Sequence, residues 1–281
     1  MDVSHHSVSE KGSALTNVRG FCLPDPPVTN RDDLLQFGFS SGGFANPSLQ
    51  STRGSYPMPE ISSPPAPQAP RWDTVAILGV GLIGGSIGID LLRRGLARNV
   101  VGIGRREESL QAARKVGACT ATTLDVPQGV EDAELIIVCT PVGRIAADVR
   151  AAAGVAKTNA LITDVGSTKE TIVGELDRDL PRDAHFVGSH PLAGGERAGP
   201  AAAVAGLFER RTVVVTPGTA TRDEDVRSIT TFWQSLGANV VRMTPAEHDR
   251  LVAGASHLPH LAAAALVSAT PRESLPLVAG G

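Results

Sequence analysis

The sequence has little aromatic content, with seven Phe, two Trp and one Tyr among 281 residues. The core must therefore be built mainly from Ala, Val, Leu and Ile. It also lacks an excess of positive charge, because 26 Lys and Arg stand against 29 Asp and Glu and the formal net charge is −3. A nucleic-acid-binding surface usually carries a basic field, so we predict no nucleic-acid partner.

Long apolar runs and targeting features are also lacking. We see no apolar run approaching the ~20 residues needed to cross a bilayer, and the N-terminus lacks the basic-then-apolar pattern of a signal peptide. Cys22, Cys119 and Cys139 are widely spaced and odd in number, which favours buried free thiols over disulfides. These features predict a cytoplasmic protein with no membrane partner.

Residues 1–70 differ from the rest of the chain in composition. They hold ten of the twenty prolines, many Ser, Gly and Asn, and no sustained periodicity. Such a segment cannot bury enough apolar surface to offset its ordering entropy. We predict a disordered leader, with a mis-assigned start codon as the alternative, and interpret His5 and His6 as tail composition rather than a metal site.

Residues 71–244 alternate short apolar segments with helical patterns. This alternation predicts a Rossmann-type α/β domain, with a doubly wound, mostly parallel sheet covered on both faces. The predicted strands are Thr74–Leu78, Val100–Ile103, Leu135–Cys139, Ala160–Asp164, His185–Ser189, Thr212–Thr216 and Asn239–Arg242. The predicted helices are Leu82–Arg94, Glu107–Val116, Ile145–Ala152, Lys169–Leu176, Asp223–Leu236 and a segment from Pro245 onward.

Residues 245–281 are rich in Ala and Leu and look wholly helical. They predict the start of a second, all-helical domain that binds substrate and pairs subunits. A lone helix this apolar would not be stable in water. We therefore expect it to pack on a partner chain or to belong to an incomplete, truncated domain.

The stretch Trp72–Gly88 reads WDTVAILGVGLIGGSIG and has the strand–turn–helix pattern of a dinucleotide-binding site. Gly79 would allow the tight turn, and Gly81 would let the backbone approach a pyrophosphate over the helix N-terminus. Gly84 and Gly88 would let the helix pack closely on the sheet. The alternative is a glycine-rich turn in another kind of α/β protein. The predicted cofactor contacts here are Gly79, Gly81, Leu82, Ile83 and Gly84.

The choice of cofactor depends on the end of the second predicted strand. An NAD site usually has an Asp or Glu there to bond the ribose hydroxyls. This chain instead continues Gly104-Arg105-Arg106, and an arginine can bind a 2′-phosphate through two hydrogen bonds. We therefore favour NADP over NAD, while a solvated loop at the start of a surface helix is the other interpretation.

Polar groups follow three further strands, at the sheet edge where ligands of such folds bind. Thr140 and Pro141 are candidates for the nicotinamide side, or form a plain strand-to-helix turn. Ser167 is a candidate active-site residue or a helix N-cap. His190, at a strand end and followed by a proline, is placed to act as a general acid or base, or is a hydrogen-bonded loop histidine.

Three histidines lie in the helical region. His257 and His260 are three residues apart and share one helix face. Together with His248 they resemble a metal site only weakly, because the nine-residue gap between His248 and His257 is not a usual ligand spacing. We predict no metal, and favour substrate binding or helix packing for these side chains.

Taken in order, the motifs resemble those of the prephenate/arogenate dehydrogenase family of tyrosine biosynthesis. They are Gly-Val-Gly-Leu-Ile-Gly-Gly-Ser at 79–86, Asp-Val-Gly-Ser-Thr-Lys at 164–169, Gly-Ser-His-Pro-Leu-Ala-Gly-Gly-Glu at 188–196, His-Asp at 248–249 and Ser-His-Leu-Pro-His at 256–260. The resemblance runs from about residue 72 to residue 281. It implies oxidative decarboxylation of prephenate to 4-hydroxyphenylpyruvate, or of arogenate, with NAD(P) as hydride acceptor, in a homodimer formed through the helical domain.

The resemblance also implies roles for individual residues. His190 would bond the ring C4 hydroxyl and help to take its proton as hydride leaves, and Ser167 would orient that hydroxyl or the nicotinamide. His257 and His260 would line the substrate pocket from the helical domain. Lys169 would add positive potential near the dicarboxylate substrate.

The chain departs from the family pattern in its helical region. Relatives have a Gly-Phe-x-x-x-Thr-Arg segment whose arginine binds a substrate carboxylate, and no residue here matches it. We therefore expect a fragment with a cofactor site but an incomplete active site. The alternatives are a β-hydroxyacid-type dehydrogenase, disfavoured because Ala246–Thr270 has no catalytic lysine, and a non-catalytic nucleotide-binding fragment.

Overall fold

The computed structural model describes residues 72–271. The predicted leader, with its histidine pair and Cys22, lies outside these residues, as do residues 272–281. The strands are β1 (Trp72–Leu78), β2 (Ala97–Ile103), β3 (Ala121–Thr123), β4 (Leu135–Val138), β5 (Leu161–Asp164), β6 (His185–Pro191), β7 (Thr212–Thr216) and β8 (Asn239–Arg242). The α-helices are α1 (Leu82–Arg93), α2 (Glu107–Lys115), α3 (Val126–Val130), α4 (Ile145–Ala153), α5 (Glu170–Leu176), α6 (Asp223–Ser235), α7 (Pro245–Val252) and α8 (Leu258–Ala269).

The eight strands form one sheet in the order β3-β2-β1-β4-β5-β6-β7-β8. Neighbouring strands are parallel except β6 and β7, which pair antiparallel through Gly188–Pro191. The chain moves outward from β1 to one edge and then returns to β4 on its other side, as in doubly wound folds. The predicted Rossmann-type, mostly parallel sheet is confirmed.

The sheet is buried on both faces because successive side chains of a strand point to opposite sides. Val75 and Ile77 of β1 belong to the apolar cluster that contains the buried side chains of α1 and α6. Ala76 and Leu78 belong to a second cluster, formed with α4 and α5. This two-sided burial explains why the strands read as continuous apolar runs rather than as alternating ones.

Two short elements were not predicted. Strand β3 has only three residues, all exposed or partly exposed, so its apolar signal is weak. Helix α3 has the sequence VPQGV. Its N-cap is Asp125, whose carboxylate accepts a hydrogen bond from the Gln128 amide. The proline at its start and its internal glycine hide such a short helix from periodicity analysis.

The two cysteines within the described residues are free thiols, as predicted. Cys119 is buried and Cys139 is partly buried. Burial raises the pKa of the Cys119 thiol to about 12, and both burial and the nearby Asp164 raise the pKa of Cys139. Both groups therefore stay protonated near neutral pH.

The helical region begins at Thr244, whose hydroxyl caps α7 by accepting the Glu247 amide. A π-helical turn, Ala253–His257, joins α7 to α8. By length and composition alone, the resulting 25-residue helix Pro245–Ala269, with a mean hydropathy of 1.4, could cross a membrane. The expectation that no apolar run approaches this length was therefore wrong. Only 6% of its most apolar window is buried.

Candidate functional site

The predicted site residues lie along one edge of the sheet. Strands β2, β1, β4, β5 and β6 are adjacent in that order, and each pairs in parallel with the next. Their carboxyl ends therefore meet at the same edge. Arg105 follows β2, Gly79 follows β1, Thr140 follows β4, Ser167 follows β5, and His190 lies near the end of β6.

The glycine turn after β1 is sterically required. Gly79 has φ +95°, and a Cβ there would lie 2.7 Å from the Cys139 carbonyl oxygen. A Cβ on Gly84 would lie 2.3 Å from the Gly79 oxygen, and one on Gly88 would lie 2.0 Å from the Ala118 oxygen. Gly84 thus permits close packing against the β1 turn, whereas Gly88 packs against the connection before β3 rather than against the sheet.

The remaining glycine of the turn, Gly81, behaves differently. A Cβ at this position would meet nothing within 4 Å, so the protein itself does not demand a glycine there. Gly81 is the N-cap of α1, which has no side-chain cap and no acidic residue in its first turn. The amide groups and dipole of this helix end therefore favour an anionic ligand.

A cleft of about 280 Å³ opens beside this turn. Its lining includes the predicted cofactor contacts Gly79, Gly81, Arg105, Arg106, Thr140 and Pro141. Leu82 and Ile83 are partly buried and Gly84 is buried; these three do not line the cleft. The Thr140 hydroxyl is buried and has no hydrogen-bond partner within the described residues, so it is available to a bound molecule. Together these features fit a dinucleotide.

Arg144 also lines this cleft, although the sequence did not single it out. Its guanidinium donates a hydrogen bond of 2.8 Å to Asp148, and this contact raises its pKa further. Arg105, Arg106 and Arg144 thus place three cationic side chains at one cleft. The signal that could have identified Arg144 is its position just after β4.

At the other end of the edge, a chain of hydrogen bonds joins β6 to α7. The Nδ1 atom of His190 lies 2.9 Å from Nε2 of His248. The Nδ1 atom of His248 lies 2.7 Å from a carboxylate oxygen of Asp249. His248 is fully buried, and the two imidazole rings meet edge to face. Both ring nitrogens of His248 are therefore used.

The carboxylate of Asp249 is bound to the start of α5. It accepts the backbone amides of Lys169 at 2.7 Å and Glu170 at 3.0 Å. Partial burial acts to raise its pKa, but the Glu170 amide, the His248 ring and the Lys169 amide together hold the pKa below its ordinary value. Asp249 is thus an anion near neutral pH.

Beneath His190, a buried polar network surrounds Lys169. Its ammonium donates to the Asp164 carboxylate and, at 3.1 Å, to the Ser189 carbonyl. The Ser189 hydroxyl accepts the Trp233 indole N–H at 3.1 Å. Lys169 is fully buried, and burial lowers its pKa while Asp164 opposes the shift. This placement disfavours the predicted substrate contact, because the ammonium faces the network rather than solvent.

The environment of His190 favours the neutral imidazole. Burial, followed by the nearby His248, Lys169 and His257, lowers the pKa of His190 to about 4. Asp249 acts in the opposite direction and is outweighed. His190 is therefore neutral near pH 7 and has one unprotonated ring nitrogen, as a general base requires, while its pKa lies below the operating pH at which such a base is most efficient.

The other predicted site residues make fewer contacts with the histidine pair. Ser167 is partly buried in the β5–α5 connection. His257 is exposed but close enough to His190 to affect its pKa. His260 is exposed, and its Nδ1 lies 2.7 Å from the Ser256 carbonyl oxygen of the same helix. The structure thus brings His257, but not His260, to the histidine pair.

No side-chain cluster within residues 72–271 is arranged to hold a metal ion, as judged from groups of three or more His, Cys, Asp or Glu. The metal-free site stays a prediction. The structure adds one physical argument, because both ring nitrogens of His248 already have partners. This residue has no lone pair left for a cation.

Comparison with known proteins adds relatives to this geometry. Residues 87–242 match a family model described as prephenate dehydrogenase, nucleotide-binding domain. Residues 244–278 match one described as prephenate dehydrogenase, dimerization domain, which supports oligomerisation. The first match begins inside α1, after the glycine turn, so the assignment of that turn rests on its own geometry.

Individual relatives agree with the family models. The chain is 37% identical over 200 residues to the prephenate dehydrogenase of Bacillus subtilis, covering 70% of this chain and 54% of that protein. It therefore spans about half the length of this curated relative.

Two solved structures share the fold. One is the prephenate dehydrogenase of Aquifex aeolicus in complex with hydroxyphenyl propionate and NAD⁺, with 29% identity, a TM-score of 0.66 and coverage of 72% and 71% of the two chains. The other is Synechocystis arogenate dehydrogenase, with 29% identity, a TM-score of 0.63 and coverage of 74% of each chain. Together with the family models, these likenesses show that the chain belongs to the prephenate dehydrogenase family.

Proposed function

We propose that this protein is an NAD(P)-dependent prephenate dehydrogenase that converts prephenate to 4-hydroxyphenylpyruvate and CO₂ in tyrosine biosynthesis. The observation that carries this proposal is the neutral His190, held by His248 at the same sheet edge as the dinucleotide cleft. The names of the relatives supply the substrate class.

A dinucleotide held in the cleft lined by Gly79, Gly81 and Thr140 would supply the acceptor for the hydride of ring carbon C4. His190 accepts the proton of the C4 hydroxyl, so the oxygen gains electron density as the hydride leaves. Cleavage of the bond to the ring carboxylate releases CO₂ and leaves its electron pair in the ring, which becomes aromatic, and His190 returns the proton to the phenolic oxygen. Ser167 orients the hydroxyl or the nicotinamide, and His257 borders the substrate from the helical region.

NADP is the preferred cofactor in this proposal. Arg105, Arg106 and Arg144 line the cleft, and Gly104 rather than an acid follows β2. A 2′-phosphate would gain charge-assisted hydrogen bonds from these guanidinium groups. An NAD site would instead use an acidic side chain at this strand end.

Arogenate is the second candidate substrate. It differs from prephenate only in an amino group that replaces the side-chain keto group, and one solved relative is named for it. Neither substrate requires a different base, so His190 would serve both.

The same proposal covers the domain organisation of the protein and its location in the cell. Residues 71–244 form the dinucleotide-binding domain, and residues 245–281 contribute to a helical domain through which two copies pair. The protein acts in the cytoplasm on a small molecule, without nucleic-acid or membrane partners. The exposed apolar helix is then explained by subunit contact.

The test follows absorbance at the reduced-nicotinamide band with prephenate and then with arogenate, each with NADP and with NAD. We expect turnover with prephenate, and a loss of roughly 10²–10⁴-fold in turnover for His190→Asn with little change in dinucleotide affinity. His185→Asn, at the opposite end of β6, is the matched control and should keep its rate.

Each alternative has its own outcome in this assay. Turnover only with a β-hydroxyacid would move the protein to another dehydrogenase class. Dinucleotide binding without turnover on any of these substrates would support a non-catalytic nucleotide-binding protein. An unchanged rate in a folded His190→Asn variant would remove His190 from the mechanism.

A further inference from the structure

The donors and acceptors around Asp249 fix the position of each proton in the histidine pair. An ionised carboxylate can only accept hydrogen bonds, so Nδ1 of His248 must carry the proton of their 2.7 Å contact. With a single proton on its ring, His248 presents a lone pair on Nε2. That atom lies 2.9 Å from Nδ1 of His190, so Nδ1 of His190 must in turn be the donor.

This assignment leaves the lone pair of His190 on Nε2. Among residues 72–271, no hydrogen-bond partner of this atom is found, and the ring itself is only partly buried. A lone pair on a nitrogen without a protein partner is what a base needs. With the opposite tautomer, Nε2 would carry a hydrogen and could not accept a proton.

Asp249 is well placed to fix which ring nitrogen of each histidine carries the proton. Two backbone amides at the start of α5 hold its carboxylate, and they favour the anion. His248 is completely buried between the two partners, and a buried polar group without its partners is costly. The three side chains therefore act as one unit rather than as separate surface contacts.

We propose that His248 and Asp249 are positioning residues that hold His190 in the Nδ1–H tautomer, with its Nε2 lone pair directed to the substrate proton. The inference deepens the proposed function and rests on it for the identity of that proton. It assigns roles to two residues that have none in the mechanism above.

The proton balance is simple. His190 gains the substrate proton on Nε2 and becomes an imidazolium, whose Nδ1–H still donates to His248. The Asp249 carboxylate stabilises the new positive charge through the His248 ring and does not itself become protonated. Lys169 and His257 disfavour the positive charge on His190, and Asp249 favours it. Removing Asp249 would therefore leave the imidazolium with Lys169 and His257 but without the carboxylate that stabilises it.

The first test measures tautomers and needs no substrate. Side-chain NMR of isotope-labelled histidine in the whole protein should show the Nδ1–H form of His190. In Asp249→Leu no acceptor faces Nδ1 of His248, and a buried N–H left without a partner is costly, so the His248 proton moves to Nε2 and the His190 proton to its own Nε2. Asp177→Leu is the matched control, since Asp177 also accepts backbone amides, from Thr219 and Ala220, but lies away from the site.

Nε2–H in the unmodified protein, or a tautomer unchanged by Asp249→Leu, would overturn the proposal. If Asp249→Leu does not fold, His248→Gln serves instead, with its side-chain amide placed between the same two partners. Restoration of the His190 Nδ1–H signal by this glutamine would support a positioning role, whereas loss of the signal in a folded His248→Gln variant would count against it.

The second test is kinetic. Asp249→Leu should lower kcat about 10²–10⁴-fold, as expected for a base held in the wrong tautomer, with KM and dinucleotide affinity nearly unchanged. A change confined to KM would show that Asp249 only supports the pocket. Absence of turnover in the unmodified protein would refute the proposed function. The tautomer measurement would still test whether His248 and Asp249 hold His190 in the Nδ1–H form.

Discussion

At the scale of single residues, the low pKa of His190 has a consequence for stability. The pKa is about 4 in the folded protein and about 6.5 in an unfolded chain. Between these values the unfolded state binds a proton that the folded state does not. The stabilisation is therefore complete above pH ~6.5 and is lost as the pH falls towards 4.

We therefore predict that the free energy of unfolding falls between pH 6.5 and pH 4, and that His190→Asn reduces this slope. Urea titrations at a series of pH values measure both quantities. Identical slopes for the variant and the unmodified protein would show that His190 is not the group responsible.

In the proposed function, cofactor choice also depends on a few side chains. Replacing Arg105 and Arg106 together by Ala should raise the Kd for NADP about 10- to 100-fold, the value of one or more charge-assisted hydrogen bonds. The Kd for NAD should change much less. Fluorescence titration with each dinucleotide measures the difference.

Arg114→Ala is the control for this experiment, because Arg114 is an exposed arginine of α2 outside the cleft lining. Equal weakening of both dinucleotides by the double variant would show that the pair contributes only general positive potential.

The sequence alone singled out His190, the arginine pair and the glycines as candidates, because each belongs to a local motif with a physical role. It did not reveal that His190 bonds His248, since the two are 58 residues apart and no local spacing reports such a contact. We expected Lys169 to add positive potential near the substrate and did not predict its complete burial. Burial depends on tertiary packing around Asp164, which the local motif does not encode.

At the scale of elements, the glycines that precede and lie within α1 have different roles. Gly88 is needed for packing, and Gly81 is available for binding. A Cβ on Gly88 would lie 2.0 Å from the Ala118 carbonyl oxygen, so Gly88→Ala should cost about 1–3 kcal/mol of stability through overpacking. Gly81 has φ −86° and open space around it. Gly81→Ala should therefore keep the fold and weaken only dinucleotide binding.

Denaturant unfolding and dinucleotide titration of the two variants test this contrast, and each variant is the control for the other. A destabilised Gly81→Ala with normal dinucleotide affinity would contradict the assignment of Gly81 to the pyrophosphate side.

The predicted elements were those with a strong apolar signal. Strands β7 and β8 match their predicted bounds, Thr212–Thr216 and Asn239–Arg242, because turn residues flank each β-branched run. Strand β6 extends beyond its predicted end to Pro191 because its last residues pair with β7. That extension depends on a neighbouring strand more than twenty residues later and cannot be read from β6 itself.

At the scale of the whole molecule, α8 leaves an apolar surface uncovered. Leu258, Leu261, Leu266 and Val267 are 62%, 68%, 71% and 70% exposed. Exposed apolar patches on a single chain mark association surfaces, and the match to a dimerization domain agrees with this.

Leu261→Lys should therefore shift sedimentation velocity profiles towards the monomer. Val204→Lys is the matched control, because Val204 is 50% exposed but lies outside the helical region. An unchanged oligomeric state in the Leu261 variant would place the subunit contact elsewhere.

The order of strands along the sheet edge allows cofactor preference to evolve independently of proton transfer. Arg105 follows β2 and His190 lies on β6, four strand positions away, a separation of roughly 19 Å at the usual spacing. Residues this far apart without shared partners usually contribute additively. A lineage could exchange one dinucleotide for another through changes beside β2 and leave its proton chemistry at β6 untouched, so related enzymes need not share a dinucleotide in order to share a base.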